Sequence, residues 1–133
     1  MNVTPEQIPA TNADYQERLH QAVRVMQEVI ERNDQERFDI HVYARADRGG
    51  PVCCIAGFCG LDPWFQERGL IAVPGASMGW VSVQPEAFFG TDRPFYANGY
   101  SKNGRVTVDD AIFALKRAIE ATPADPAAAQ APS

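Results

Sequence analysis

Between Pro51 and Gly60 the chain reads Pro-Val-Cys-Cys-Ile-Ala-Gly-Phe-Cys-Gly, a run that holds every cysteine and no charged side chain. A segment with nothing to offer water has to be enclosed, so the rest of the chain must supply elements that cover it. Gly49-Gly50 allows a turn, and Pro51 suits a first helical position, where its missing N–H would have no partner anyway. Gly60 can take the left-handed conformation that ends helices, with Leu61 as the apolar contact beyond it. The stretch is therefore expected to be a short buried helix. At helical spacing Cys53, Gly57 and Gly60 share one face, where another backbone can approach closely, while Ile55, Phe58 and Cys59 form a second apolar face.

Two longer segments have the pattern needed to cover it. From Asp14 to Arg32, Leu19, Ala22, Val23, Met26, Val29 and Ile30 recur at steps that mark one stripe of an amphipathic helix, with Asn12 or Asp14 as its cap. His20 lies beside that stripe. Over 107–121 the face is Val108, Ala111, Ile112, Leu115, Ala118 and Ile119, behind a Thr107 cap and the first-turn acids Asp109 and Asp110. Phe38, Ile40 and Val42 alternate with Asp39, His41 and Tyr43, the period of a half-buried strand. Residues 80–83 form a second short strand that could pair with 38–43. Asp62-Pro63 opens a helical turn carrying Trp64 and Phe65, and Pro85 opens another that ends at Gly90. The expected fold is α+β, mainly α: two amphipathic helices around a short buried Cys-rich helix, with a possible two-stranded β element. Trp64, Trp80, Phe88 and Phe89 are expected in its core.

The 133 residues suit a single globular domain over 13–121, with a flexible lead-in over 1–12 and a disordered Ala/Pro tail over 122–133. No run is long and apolar enough to span a bilayer, and the first residues lack the basic start and apolar core of a signal peptide. Three clustered cysteines do not form a disulfide framework, which places the chain in a reducing cytoplasm. A net charge of −5 argues against nucleic acid as a partner, because phosphate contacts need clustered Lys and Arg. Phosphate loops, dinucleotide fingerprints and His-Glu-x-x-His are missing, so no cofactor is expected.

Cys54-Ile55-Ala56-Gly57, with Phe38 and Ile40 upstream, resembles a pattern of small bacterial and phage-borne proteins: Phe-x-Met, a polar loop, then Cys-Gly-Thr-x-x-Cys-Ile-Ala-Gly opening a helix. The resemblance covers residues 38–61, with an echo in Ala87-Phe88-Phe89-Gly90 and Phe95-Tyr96. Gly49 stands where that pattern has its first cysteine, and Pro51 where it has threonine. The resemblance implies a fold and a phage or mobile-element origin, and no particular activity.

Two sets of residues could carry a function. Cys53 or Cys54 in a first helical turn would have its thiolate favoured by unpaired N–H groups, and His41 could serve as base. Cys54 and His41 are thus the candidate reactive pair, although neither histidine lies downstream of the cysteines and apolar neighbours oppose a thiolate. On one helix the three thiols cannot converge on a metal ion. The second set lies in the irregular segment 91–105, where Arg93, Phe95, Tyr96, Tyr100, Lys102 and Arg105 combine aromatic and basic character, the residue types that anchor interfaces. The expectation is a small soluble protein without catalytic or metal-binding residues, acting through a protein partner or self-association. The alternative is a small cysteine-dependent enzyme, or a ligand- or metal-binding domain, built on the Cys53–Cys59 helix and His41.

Overall fold

Thr11 starts the first helix through a reciprocal cap: its hydroxyl accepts the Asp14 N–H, and the Asp14 carboxylate accepts the Thr11 N–H. This structure is a computed structural model, and it describes residues 10–100 and 104–122. Helix α1 runs Asn12–Glu31, so the cap is Thr11 rather than Asn12 or Asp14. The expected lead-in and tail fall largely outside the described residues. The predicted stripe is the one that is buried, Leu19, Ala22, Val23, Met26 and Val29. Asn33, at a left-handed φ of 58°, ends the helix: its N–H reaches the Ile30 carbonyl and the Asp34 N–H reaches Val29.

The Cys-rich stretch divides where the sequence suggested one helix. Val52–Cys53 is a strand, β2, paired antiparallel with β1 (Ala44–Arg45) in the register Ala44 to Cys53 and Arg45 to Val52. Helix α2 begins only at Ile55 and runs to Gly60, with Cys54 at its N-cap and every residue buried. Pro51 therefore precedes a strand and does not open the helix. The change follows from backbone bonding: the Cys54 N–H donates to Val42 and the Cys53 carbonyl accepts from Asp39, which holds 52–54 extended.

The close-approach face does what its glycines allow. A β-carbon on Gly57 would collide with the Tyr43 carbonyl oxygen, and one on Gly60 would stand 2.5 Å from the Ala72 nitrogen. Helix α2 is thus wedged between the 43–44 backbone and β3 (Ala72–Val73), with α1 over another face.

The expected strand 38–43 is not one. Phe38 makes a single parallel bridge to Cys53, and then Asp39 turns the chain by accepting the His41 N–H on its side chain and the Val42 N–H on its carbonyl. Phe38, Ile40 and Val42 are buried as the alternation required. The Asp39 N–H and the Val42 carbonyl bond to 53–54, and the Val42 N–H bonds within the turn, so this stretch does not pair with 80–83. Residues 80–81 (β4) pair instead with β3, Ala72 to Val81 and Val73 to Trp80. The two small sheets meet at a bridge between Arg45 and Gly75.

Short helices α3 (Pro63–Gln66, capped by Asp62) and α4 (Pro85–Phe89) carry the aromatic core. Phe88 and Phe89 meet edge to face at 5.0 Å, Phe65 lies 5.8 Å from each, and Phe95 stacks on Phe89 at 4.4 Å. Arg18 is buried beside them, its guanidinium donating to the Phe88 carbonyl and lying over the Phe88 ring. Helix α5 (Val108–Ala121) repeats the reciprocal cap, with Thr107 and Asp110, and packs along α1. The architecture is α+β and mainly α. Trp64 is half-buried. Trp80, expected in the core, is exposed.

Candidate functional site

The three cysteines are free thiols, and all are buried. Burial pushes Cys53 up to about 12, with the neighbouring Cys54 adding to it. Burial pushes Cys54 up to about 11, although the amides of Gly57 and Ala56 pull the other way. Cys59 lies well above its ordinary value for the same first reason. Each is therefore a neutral thiol at physiological pH, and the expected help of a helix start does not overcome the loss of water. His41 is exposed, and it lines a cleft of about 180 Å³ with Cys54, Met78, Phe95 and Tyr96. Both members of the candidate pair line this cleft, but the space is small for an organic substrate. Among the described residues no group of three His, Cys, Asp or Glu is placed to hold a metal ion.

The 91–105 segment is more structural than its composition suggested. Two short 3-10 turns, Arg93–Phe95 and Ala97–Gly99, shape it. Phe95 points inward and is 1% exposed, so it anchors the core and presents nothing to a partner. Tyr96 is half-buried and donates to the Glu86 carboxylate, while Tyr100 donates to the Pro94 carbonyl. Burial, first of all, raises both phenols above their ordinary value. Arg105 reaches back to the carbonyls of Glu36 and Phe38, tying this segment to the start of the 38–43 turn. Arg93 is exposed. Lys102 lies outside the described residues. Of the candidate interface residues that the structure describes, Phe95 is turned inward, Tyr96 and Tyr100 are bonded within the chain, Arg105 acts as a strap and Arg93 is exposed.

The exposed apolar surface is elsewhere, on the β3–β4 hairpin. Ile71, Val73, Met78 and Trp80 are between 38% and 51% exposed. Val73 and Trp80 are direct partners in the ladder and so share a face, and Ile71 is two residues before Val73 on that same face. The opposite face, Leu70, Ala72, Val81 and Val83, is buried. The turn between the strands is held to β1, with Met78 accepting the Ala44 N–H and Gly75 donating to the Ala44 carbonyl. Ser82 fixes the other end, its hydroxyl accepting the Ile71 N–H. The face is thus apolar, ordered at both ends and open. Its sequence signal was the phase of the strand: if Val81 and Val83 face the core, Trp80 has to face out. No ionisable side chain occurs from Gly69 to Pro85.

Comparison with known proteins gives no match to a family model, to a curated protein or to a solved structure. No helix among the described residues is long and apolar enough to cross a membrane.

Proposed function

We propose that this protein acts without catalysis, by protein–protein association, and that its contact surface is the outer face of the β3–β4 hairpin. The observation that carries the reading is the row of Ile71, Val73 and Trp80 on one ordered, uncharged face, with the exposed Met78 in the adjoining turn. Its partner is a second copy of the chain. Two molecules of net charge −5 repel wherever their acids meet, and an uncharged face opposed to itself avoids that cost. Across a two-fold axis, Trp80 of one copy can lie against Val73 of the other, the self-complementary arrangement that a symmetric dimer needs. The buried free thiols support a reducing compartment, the cytoplasm, and the likeness of residues 38–61 to phage-borne proteins supports a mobile-element origin.

Sedimentation velocity over a wide concentration range tests this reading. The chain is expected to form a dimer that Trp80→Ser weakens about thirtyfold or more, the effect of losing a central aromatic anchor. A chain that stays monomeric overturns self-pairing and points to a foreign apolar partner. A dimer indifferent to both Trp80→Ser and Val73→Ser places the interface elsewhere.

The shared cleft of His41 and Cys54 favours one second reading, a cysteine-dependent activity. Iodoacetamide decides it: rapid alkylation of Cys54 in the folded chain at neutral pH supports that chemistry, and protection until unfolding removes it.

A further inference from the structure

Where the start of α1, the 90–100 segment and α5 come together they form a cleft of about 850 Å³ open to solvent on one side. Its walls are partly apolar, with Phe89, Pro94 and Phe113 among them, and the Tyr100 ring adds to these. Phe113 is 65% exposed, so its ring is open to whatever occupies this space. Two guanidinium groups, Arg93 and Arg117, line the same space.

The state of these two arginines separates them from most of the others. Arg18, Arg24, Arg32, Arg37, Arg68 and Arg105 all donate to acceptors within the chain. Arg93 and Arg117 have no hydrogen bond or ion pair among the described residues, and Arg117 only lies over the Phe113 ring at 5.8 Å. The one carboxylate lining the cavity, Asp110, accepts the Thr107 N–H in the α5 cap. In a chain whose acids outnumber its bases, two arginines with no acceptor among the described residues line one concave, partly aromatic space.

We propose that this cavity binds a small organic anion, a carboxylate or phosphate held by Arg93 and Arg117, with a ring-sized apolar body against Phe89, Pro94 and Phe113. The volume lies in the range of small-molecule sites. Guanidinium groups recognise both kinds of anion through paired N–H donors, and a charge-assisted bond strengthens where an apolar wall excludes water. The apolar walls require the body: a bare inorganic anion would satisfy the arginines and leave the rings wet. The site shares no lining residue with the hairpin face, so it stands or falls independently of the proposed association.

The test is an amide NMR titration of the full chain with cinnamate, cinnamyl alcohol, phenyl phosphate and inorganic phosphate. Cinnamate or phenyl phosphate is expected to give saturable shifts over residues 90–100 and 113–122, and the order of the two tells which anionic group the site takes. Cinnamyl alcohol, with the same body and no charge, and inorganic phosphate, with charge and no body, should each bind about tenfold more weakly or worse. Arg93→Ala and Arg117→Ala, both at exposed positions, should keep the folded spectrum and weaken cinnamate by a similar factor. No saturable shift in those segments overturns the proposal. So does a neutral alcohol that binds as well as the acid, or binding untouched by both substitutions.

Discussion

Residues 49–61 and 69–85 are both free of charged side chains and both rich in apolar ones, yet the fold treats them oppositely. The first becomes β2 and α2, enclosed on every side by α1, the 43–44 backbone and β3. The second becomes the β3–β4 hairpin, with one face in the core and the other in water. Their composition does not distinguish them. What differs is the geometry of the element: a helix apolar all round has no face to spare, whereas a strand pair has two faces and this core needs only one. An apolar side chain in the first stretch therefore stabilises the fold, and one on the outer face of the second is free to serve association.

Substitutions should separate the two regions by size of effect. Phe88→Ala, in the buried aromatic cluster of the same core, is expected to cost about 3–5 kcal/mol, read from urea denaturation. A loss below about 1 kcal/mol would mean the ring is not the centre of the cluster. Gly57→Ala comes next, at about 3 kcal/mol or more, because the added methyl meets a backbone carbonyl that no rotamer change can move. Tolerance of that change would show that α2 is not wedged against Tyr43.

Alkaline pH sharpens the contrast, because the thiols lie only in the closed region. Cys53 and Cys54 ionise in the folded chain at about 12 and about 11, against an ordinary 9.0. A folded-state value raised in this way leaves stability whole below about pH 9, where neither state ionises. Stability then falls as the unfolded chain alone loses protons, up to the folded values. The raised phenols of Tyr96 and Tyr100 act in the same direction at higher pH. Denaturation midpoints should therefore drop steadily from about pH 9 upward, and less steeply in Cys53→Ala. Midpoints flat to pH 11 would contradict the burial of the thiols.

A smaller effect is expected at the join between α1 and α3. Asp62 caps α3 and accepts both ends of the Arg24 guanidinium, which with the α3 amides holds its carboxyl below the ordinary range. Asp62→Ala should cost about 1 kcal/mol, mostly the lost cap, since the ion pair is partly exposed. Its contribution is present above the ordinary carboxylate range and disappears as pH falls through the lowered value. The smallest effect on monomer stability belongs to Trp80→Ser, within about 0.5 kcal/mol, and a larger loss would make the indole structural.

Local signals in the sequence were legible, and long-range pairing was not. The stripes of α1 and α5, the Thr107 cap and the small-residue face at Gly57 and Gly60 all follow from neighbours a few residues apart. The Thr11 cap was equally written in Thr-x-x-Asp, but Asn12 and Asp14 compete with it on residue type alone. Which strand residues 80–81 would join depends on backbone groups far away in the chain, and Phe38, Ile40 and Val42 gave the right burial with the wrong partner. Phe95 shows the limit most plainly. Its setting in an irregular, basic segment allowed either an outward ring or one folded back on the core, and only the position of Phe89 decides for the second. The hairpin face is hard to read from sequence because a tryptophan next to Val81 reads as core until the burial of Val81 and Val83 fixes the strand's phase.

Hydrogen exchange measured at low and high protein concentration tests the central contrast directly. Amides of 55–60 should exchange slowly and equally at both concentrations, because nothing outside the molecule protects them. Amides of 71–81 should be fast when dilute and become protected as concentration rises, with Trp80→Ser removing that change. Hairpin exchange that ignores concentration, or protection that rises in both regions together, would contradict the account.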